Sequence, residues 1–132
     1  MDTVSNIKIR RSIRKYKEDA IPHSLIEEVV ETARFAPSWK NTQIVRYVCV
    51  EDPVLKQQIA DYCTMGFAHN EDIISRAPSL MVLTYISGRS GYERDGSFST
   101  TRGDAWESFD AGIAAEAFCL AAYEKGLGTC IL

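Results

Sequence analysis

The sequence predicts one domain that mixes helices and strands, and three observations support this fold class. A chain of 132 residues has the length of a single domain, and such a chain buries roughly two-thirds of its unfolded surface. Apolar residues recur at helical spacing in "SLIEEVVETARFA" and crowd the helical stretch "AGIAAEAFCLAAY". Two apolar runs rich in β-branched residues, "IVRYVCV" and "SLMVLTYI", are typical of buried strands.

Two helices are predicted before the first strand. The first covers Thr3–Arg10, just ahead of a basic stretch. The second covers Ser24–Ala36, where Leu and Val residues share one face. Ser24 and Glu27 have the spacing of a capping box, in which each side chain satisfies a backbone donor at the helix start. Pro37 ends this helix.

The middle of the chain is predicted to alternate between strands and helices. The strand Ile44–Val50 is nearly all apolar, so we expect both of its faces to be covered. Asp52 precedes Pro53, which suits the first position of a helix reaching about Cys63. A short helical piece over Glu71–Ser75 then leads into the second strand, Ser79–Ile86.

A long loop and a long helix make up most of the remaining sequence. The loop Ser87–Gly103 is rich in Gly and Ser and is longer than compact domains usually contain without a purpose. The helix Asp104–Lys125 ends at Gly126, a residue type favoured just past a helix end. The Ala and Gly residues in the middle of this helix indicate that another backbone approaches it closely. The final residues, Gly128–Leu132, are predicted to begin a third strand.

Composition excludes several classes of protein. The formal net charge is -3, which argues against a nucleic-acid-binding surface. The longest apolar passage, Ala111–Tyr123, is too short to span a bilayer and contains Glu116. The N-terminus has no apolar signal region, so we expect a cytoplasmic protein without a membrane partner.

The cysteines and histidines predict neither disulfides nor a metal site. No pair of cysteines has CxxC spacing, and all lie in apolar surroundings, which is typical of buried, reduced thiols. The two histidines are far apart in sequence and have no clustered cysteines nearby. The residues concerned are Cys49, Cys63, Cys119, Cys130, His23 and His69.

A basic stretch, "IKIRRSIRKYK", contains six Lys or Arg residues among eleven and no acidic residue. It could be a solvent-exposed charged segment near the start of the chain, or a nucleic-acid-binding patch, although the net charge disfavours the patch. A third interpretation is an anion site. Side chains alternate in an extended segment, so Arg10, Ser12 and Arg14 would share one face and could donate several hydrogen bonds to one phosphate.

A polar turn, "APSWKNTQ", lies between a helix end and a buried strand. Ser38 and Asn41 flank the flat ring of Trp39, and such a combination suits a planar, hydrogen-bonding ligand. The alternative is a turn in which Ser and Asn satisfy local backbone groups. The sequence contains no phosphate-binding glycine loop and no catalytic acid–base pattern.

Four segments in order resemble the nitroreductase family: "RRSIRKY", "APSWKNTQ", "HNEDIISRAPSLMVL" and "DAGIAAEAFCLAAYEKGLGTCIL". The resemblance covers essentially the whole chain as one domain, residues 1–132. It implies an α+β fold with a mainly antiparallel sheet wrapped by helices. It also implies an intertwined homodimer that binds two FMN molecules at its interface.

The resemblance assigns specific residues to FMN. It places the phosphate and ribityl chain at the start of the basic stretch and Arg14 near the pyrimidine edge of the flavin. The partner subunit would contribute contacts from the polar turn, and Asn70 would bond to the pyrimidine. The implied FMN-binding residues are Arg10, Arg11, Ser12, Arg14, Pro37, Ser38, Trp39, Asn41 and Asn70.

The implied activity is transfer of a hydride from NADH or NADPH, through FMN, to a nitroaromatic, a quinone or a similar small acceptor. FMN supplies the chemistry, so no catalytic side chain is expected, and one open site serving two substrates implies ping-pong kinetics. Two alternatives stay open. One is a dehalogenating or flavin-cleaving relative with Ser87–Gly103 as a lid, and the other is a flavin-binding protein without turnover. Family members usually continue past "GLGTCIL", so we expect the C-terminal part of the domain to be missing.

Overall fold

The computed structural model describes residues 1–132 and contains five helices and a two-stranded sheet. The sheet is antiparallel and the helices pack around it, which confirms the predicted α+β class. In chain order the elements are α1 Thr3–Ile9, α2 His23–Ala33, β1 Val45–Val50, α3 Pro53–Cys63, α4 Ala68–Arg76, β2 Leu80–Tyr85 and α5 Ala105–Glu124.

Strands β1 and β2 pair along their whole length, from Val45 opposite Tyr85 to Val50 opposite Leu80. Side chains of β1 alternate between covered and exposed positions, and half of the Val48 surface is exposed. The prediction that both faces of this strand are covered is therefore wrong for this chain. The alternation is what an antiparallel sheet with one packed face produces.

The predicted third strand does not form. Within Gly128–Leu132 the only bridge joins Thr129 to Ser12, in parallel, and the amide of Ile13 donates to the Thr129 carbonyl at 2.8 Å. A Cβ on Gly128 would lie 2.9 Å from Ile13. The segment therefore packs against the basic stretch instead of joining β2, whose second edge has no paired strand.

Of the two predicted helix N-caps, one is confirmed and the other is wrong. The Asp52 side chain accepts hydrogen bonds from the Val54 and Leu55 amides, as expected before Pro53. The capping box at Ser24 is wrong, because α2 starts one residue earlier with Pro22 as its N-cap. Ser24 consequently lies inside the first turn, where its hydroxyl cannot cap.

Several other boundaries differ from the prediction, most of them by one residue. Helix α2 ends at Ala33 rather than Ala36. Helix α4 is longer than Glu71–Ser75 at both ends. Helix α5 ends as expected, with Gly126 at a φ of 79°, a conformation that glycine adopts without steric cost.

The core lies between α5, α2 and the sheet. Val29 and Ala33 of α2 are buried against α5, which contributes Ala114 and Ala122. Small residues on both helices permit this close approach. Beside this core lies an apolar cavity of about 1030 Å³, which is lined by β2, α4 and the end of the chain.

The four cysteines are all free thiols. Cys119 is buried, and burial raises the pKa of its thiol, with a smaller opposing effect from a hydrogen bond to Thr129. Cys63 is exposed at the end of α3, and Cys49 and Cys130 are half-buried, so the expectation of buried thiols holds fully only for Cys119. None of the helices combines the length and the apolar character that crossing a membrane requires.

Candidate functional site

The basic stretch leaves α1 in an extended conformation that begins at Arg10. The Arg10 side chain is 24% exposed, and its Nε lies 3.4 Å from a carboxylate oxygen of Glu116 on α5. This contact is an ion pair without hydrogen-bond geometry, and Nε is a buried donor with no hydrogen-bond partner. An acceptor that approaches this nitrogen would therefore satisfy an otherwise unpaired group.

Arg11 and Arg14 are exposed and have no acidic partner within 4.0 Å. The Arg11 guanidinium donates to the carbonyls of Lys8 and Arg10 at 2.7 and 2.8 Å, and Arg14 donates to the Ser12 carbonyl at 3.4 Å. These bonds use only part of each guanidinium. The remaining donors and the exposed Ser12 hydroxyl can serve an anion.

The polar turn is held in an unusual backbone conformation. Lys40, Asn41 and Gln43 have φ values of 45°, 55° and 51°, in the left-handed region that non-glycine residues seldom adopt. Ser38 Oγ accepts from the Gln43 amide at 2.9 Å, and Asn41 Oδ1 accepts from Gln43 Nε2 at 3.0 Å. Ser38 and Asn41 thus stabilise the turn locally, while the side-chain Nδ2 of Asn41 makes no hydrogen bond within the chain and can donate to a ligand.

Trp39 is half-buried beneath the turn rather than part of the core. Its ring lies 6.4 Å from the ring of Trp106, and the ammonium of Lys40 lies 4.6 Å from its centre. Its backbone amide donates to Oδ1 of Asp110 at 3.0 Å. Pro37, which precedes this group, is exposed.

Asn70 lies on α4 and lines the apolar cavity together with Ile13 and Tyr16. It is half-buried, and its side chain has no hydrogen bond within the chain. The Tyr16 hydroxyl donates to the Ile13 carbonyl at 2.6 Å, and burial raises its pKa, so it stays protonated at neutral pH. Asn70 and the second half of the basic stretch therefore line the same cavity.

No hydrogen bond or ion pair joins the basic stretch to the polar turn within one chain. They contact α5 at Glu116 and Asp110, six residues apart. In an α-helix this separation is about 9 Å along the axis and about a third of a turn around it. The two groups of predicted residues consequently lie on different sides of α5.

Sequence reasoning missed a pair of buried acidic residues on α5. Glu107 accepts from the Gly88 amide at 2.7 Å and the Ser87 hydroxyl at 3.3 Å. Asp110 accepts from the Ser90 hydroxyl at 2.6 Å as well as from the Trp39 amide. The sequence did contain a signal for them, since two acidic residues three positions apart lie on one side of a helix and here precede its apolar part.

The donors of the basic stretch fit the phosphate of FMN better than a metal ion. The unpaired Arg10 Nε, the free guanidinium donors and Ser12 are complementary to a phosphate dianion. Nowhere do three His, Cys, Asp or Glu side chains come together as a metal would require.

Comparison with known proteins gives a consistent match. The chain matches the Nitroreductase family over residues 7–72 and 65–132. It is 42% identical to an NADH dehydrogenase of Thermus thermophilus over 56% of this chain and 34% of that protein. It is 27% identical to an FMN reductase [NAD(P)H] of Bacillus subtilis over 97% of this chain and 52% of that protein.

A solved structure shares the fold over nearly the full chain. The crystal structure of a nitroreductase family protein from Clostridium novyi NT superposes with a TM-score of 0.78 at 28% identity, covering 98% of this chain and 68% of that one. The chain spans about a third to a half of the length of the two curated relatives. Because the family match extends over almost all of its residues, the chain belongs to the nitroreductase family.

Proposed function

We propose that this chain is the flavin-binding part of an FMN-dependent oxidoreductase that uses NADH or NADPH to reduce a small acceptor such as a nitroaromatic or a quinone. One observation carries the proposal. In a chain of this family, the segment Arg10–Arg14 presents a buried, unpaired donor and two guanidiniums without acidic partners. The name of the Bacillus subtilis relative, an FMN reductase that uses NAD(P)H, supports the choice of flavin and reductant.

The chain's own residues would bind and orient FMN. Arg10, Arg11 and Ser12 would donate to the phosphate, because charge-assisted hydrogen bonds favour an anion with several acceptor oxygens. Arg14 and Asn70 would face the pyrimidine edge of the ring. This division places fixed positive charge at both ends of the cofactor.

The chemistry that FMN supplies when bound is acceptance of a hydride from NADH or NADPH and delivery of two electrons to the acceptor. The protein then needs to hold the ring, leave one face open and stabilise negative charge near Arg14. No nucleophile or proton-transfer pair is required for this chemistry. Because both substrates would use the same face in turn, the expected kinetics are ping-pong.

We further propose that the site is completed by a second copy of the chain. The polar turn and the basic stretch contact α5 six residues apart and share no hydrogen bond or ion pair, which supports a site that takes its Trp39 from a second chain. The exposed Phe109 and Gly112 on α5 are available for contact with another chain. A homodimer would allow the turn of one subunit to cover the flavin held by the other.

An anaerobic titration tests the function. Purified protein is loaded with FMN, and NADH or NADPH is added while the visible absorbance of the flavin is followed. The proposal expects loss of this absorbance at one nicotinamide per flavin, and recovery when a quinone or nitroaromatic is added. FMN binding without loss of absorbance would favour a binding protein without turnover. Halide release from a halogenated phenol, in place of quinone reduction, would favour a dehalogenase.

A further inference from the structure

Asp110 joins two segments that are distant in sequence. It is 1% exposed, and both of its carboxylate oxygens accept a hydrogen bond. Oδ1 accepts from the Trp39 amide at 3.0 Å and Oδ2 accepts from the Ser90 hydroxyl at 2.6 Å. No cation lies within ion-pair distance of it. A buried carboxylate is costly unless such donors satisfy it, so the three groups form a specific arrangement, here called the Asp110 junction.

The turn that the junction holds needs an external restraint. Its positive φ values cost free energy and persist only where the surroundings fix the backbone. Most hydrogen bonds of Ser38–Gln43 are internal to the turn. The hydrogen bond from the Trp39 amide to Asp110 ties the backbone of the turn to α5, beside the pairing of the Trp39 ring with Trp106. Lys40 adds an exposed ion pair to Glu93 at 3.3 Å, which is weaker because solvent screens it.

The other side of the junction is the loop Ser87–Gly103. Ser90 is 0% exposed, so the start of this loop is anchored in the interior beside α5. Glu107 anchors the same loop one turn earlier on the helix, through Ser87 and Gly88. Glu107 makes no hydrogen bond or ion pair with the polar turn. Both buried acids therefore accept hydrogen bonds from the loop, but only Asp110 also accepts one from Trp39.

We propose that Asp110 is a positioning residue, which fixes Trp39 and the polar turn to the loop Ser87–Gly103 and thereby slows the release of FMN. The inference rests on the proposed function, since it takes the polar turn to contact the flavin. Asp110 itself does not touch the cofactor. Its role is to keep the strained turn in the one conformation that presents Trp39 to the ring, with the loop as the second support.

Hydrogen exchange of the Trp39 amide and FMN dissociation together test the inference. In Asp110→Ala the amide loses its buried acceptor, so we expect about tenfold faster exchange and about tenfold faster FMN release. Asp110→Asn keeps an acceptor oxygen and should return both rates to near the parent values. The matched control Glu107→Ala removes the bonds to Ser87 and Gly88 but keeps both bonds of Asp110, so it should leave both rates within about twofold of the parent.

Ser90→Ala tests the coupling if Asp110→Ala does not fold. This variant leaves the Trp39–Asp110 bond in place, so faster exchange at Trp39 and faster FMN release would show that the loop restrains the turn through Asp110. Parent rates in Ser90→Ala, or equal effects from Glu107→Ala and Asp110→Ala, would overturn the inference while leaving the proposed function intact. A parent protein that binds no FMN would overturn the proposed function, and this inference with it.

Discussion

The guanidinium of Arg10 lies 3.4 Å from the carboxylate of Glu116, and this ion pair connects the basic stretch to helix α5. Half of the Glu116 side chain is exposed, so solvent weakens the pair. If Arg10 binds the FMN phosphate, the carboxylate competes with it. Glu116→Gln should therefore tighten FMN binding by about two- to fivefold, whereas Arg10→Ala should weaken it by about tenfold or more. Equilibrium titration of flavin fluorescence measures both changes, and weaker binding by Glu116→Gln would mean that the carboxylate orients Arg10 instead.

Arg14 is predicted to raise the redox potential of the bound flavin. Two-electron reduction leaves negative charge near the pyrimidine edge, which a guanidinium stabilises. A hydrogen bond to a charged group contributes about 1.5–3 kcal/mol, and about 1.4 kcal/mol corresponds to about 30 mV for two electrons. Arg14→Ala should therefore lower the midpoint by a few tens of millivolts. Arg10→Ala should leave the midpoint near the parent value, because the phosphate keeps nearly the same charge in both states. Spectroelectrochemical titration at saturating FMN compares them, and an unchanged Arg14→Ala potential would refute the placement of Arg14.

Trp39→Ala is predicted to affect the flavin more than the fold. Truncating a core Trp costs about 3–5 kcal/mol, but Trp39 is only half-buried, and its pairing with Trp106 accounts for about 0.5–1.5 kcal/mol beyond burial. We expect Trp39→Ala to lower the free energy of unfolding by less than about 3 kcal/mol. We also expect it to speed FMN dissociation and to alter the preference for acceptors. Chemical denaturation and stopped-flow release measure these quantities. If the free energy of unfolding falls by about 3–5 kcal/mol, as expected for a core Trp, and the flavin kinetics do not change, Trp39 has a structural role only.

Gly112 offers a test of the homodimer. It is exposed on α5, and a Cβ at this position would contact nothing within the chain. Gly112→Arg should therefore leave an isolated chain folded but should separate two chains that pack along α5, with loss of FMN. The exposed Ser24 on α2 supplies a control, Ser24→Arg, expected to behave like the parent. Analytical ultracentrifugation with flavin quantification gives the result. A monomeric parent that retains one FMN per chain would contradict the proposed assembly.

Local signals in the sequence were enough to predict most helices and both strands. Asp52 before Pro53 and Gly126 after α5 act as caps in the structure as expected, since capping depends on a few neighbouring residues. The capping box at Ser24 is wrong because the N-cap is Pro22, two residues before the start of the Ser24–Glu27 pattern. The error at Gly128–Leu132 has a different cause, because periodicity identifies an extended segment but not its pairing partner.

The candidate site was predictable only in part. The charged residues of Arg10–Arg14 were identifiable by composition, and the structure leaves their donors largely free. The role of Asp110 could not be identified from the sequence, because its partners Trp39 and Ser90 are 71 and 20 residues away along the chain. The same limit applies to Glu116, whose pairing with Arg10 joins opposite ends of the chain.

Comparing the affinities of FMN and riboflavin, which lacks the phosphate, tests the central claim most directly. If Arg10–Arg14 holds the phosphate, the parent should bind FMN at least about tenfold more tightly than riboflavin, because each charge-assisted bond contributes about 1.5–3 kcal/mol. Replacing Arg11 by Ala should reduce this difference without changing riboflavin affinity. Equal affinity of the parent for the two flavins, or no binding of either, would contradict the assignment of the basic stretch to an FMN phosphate.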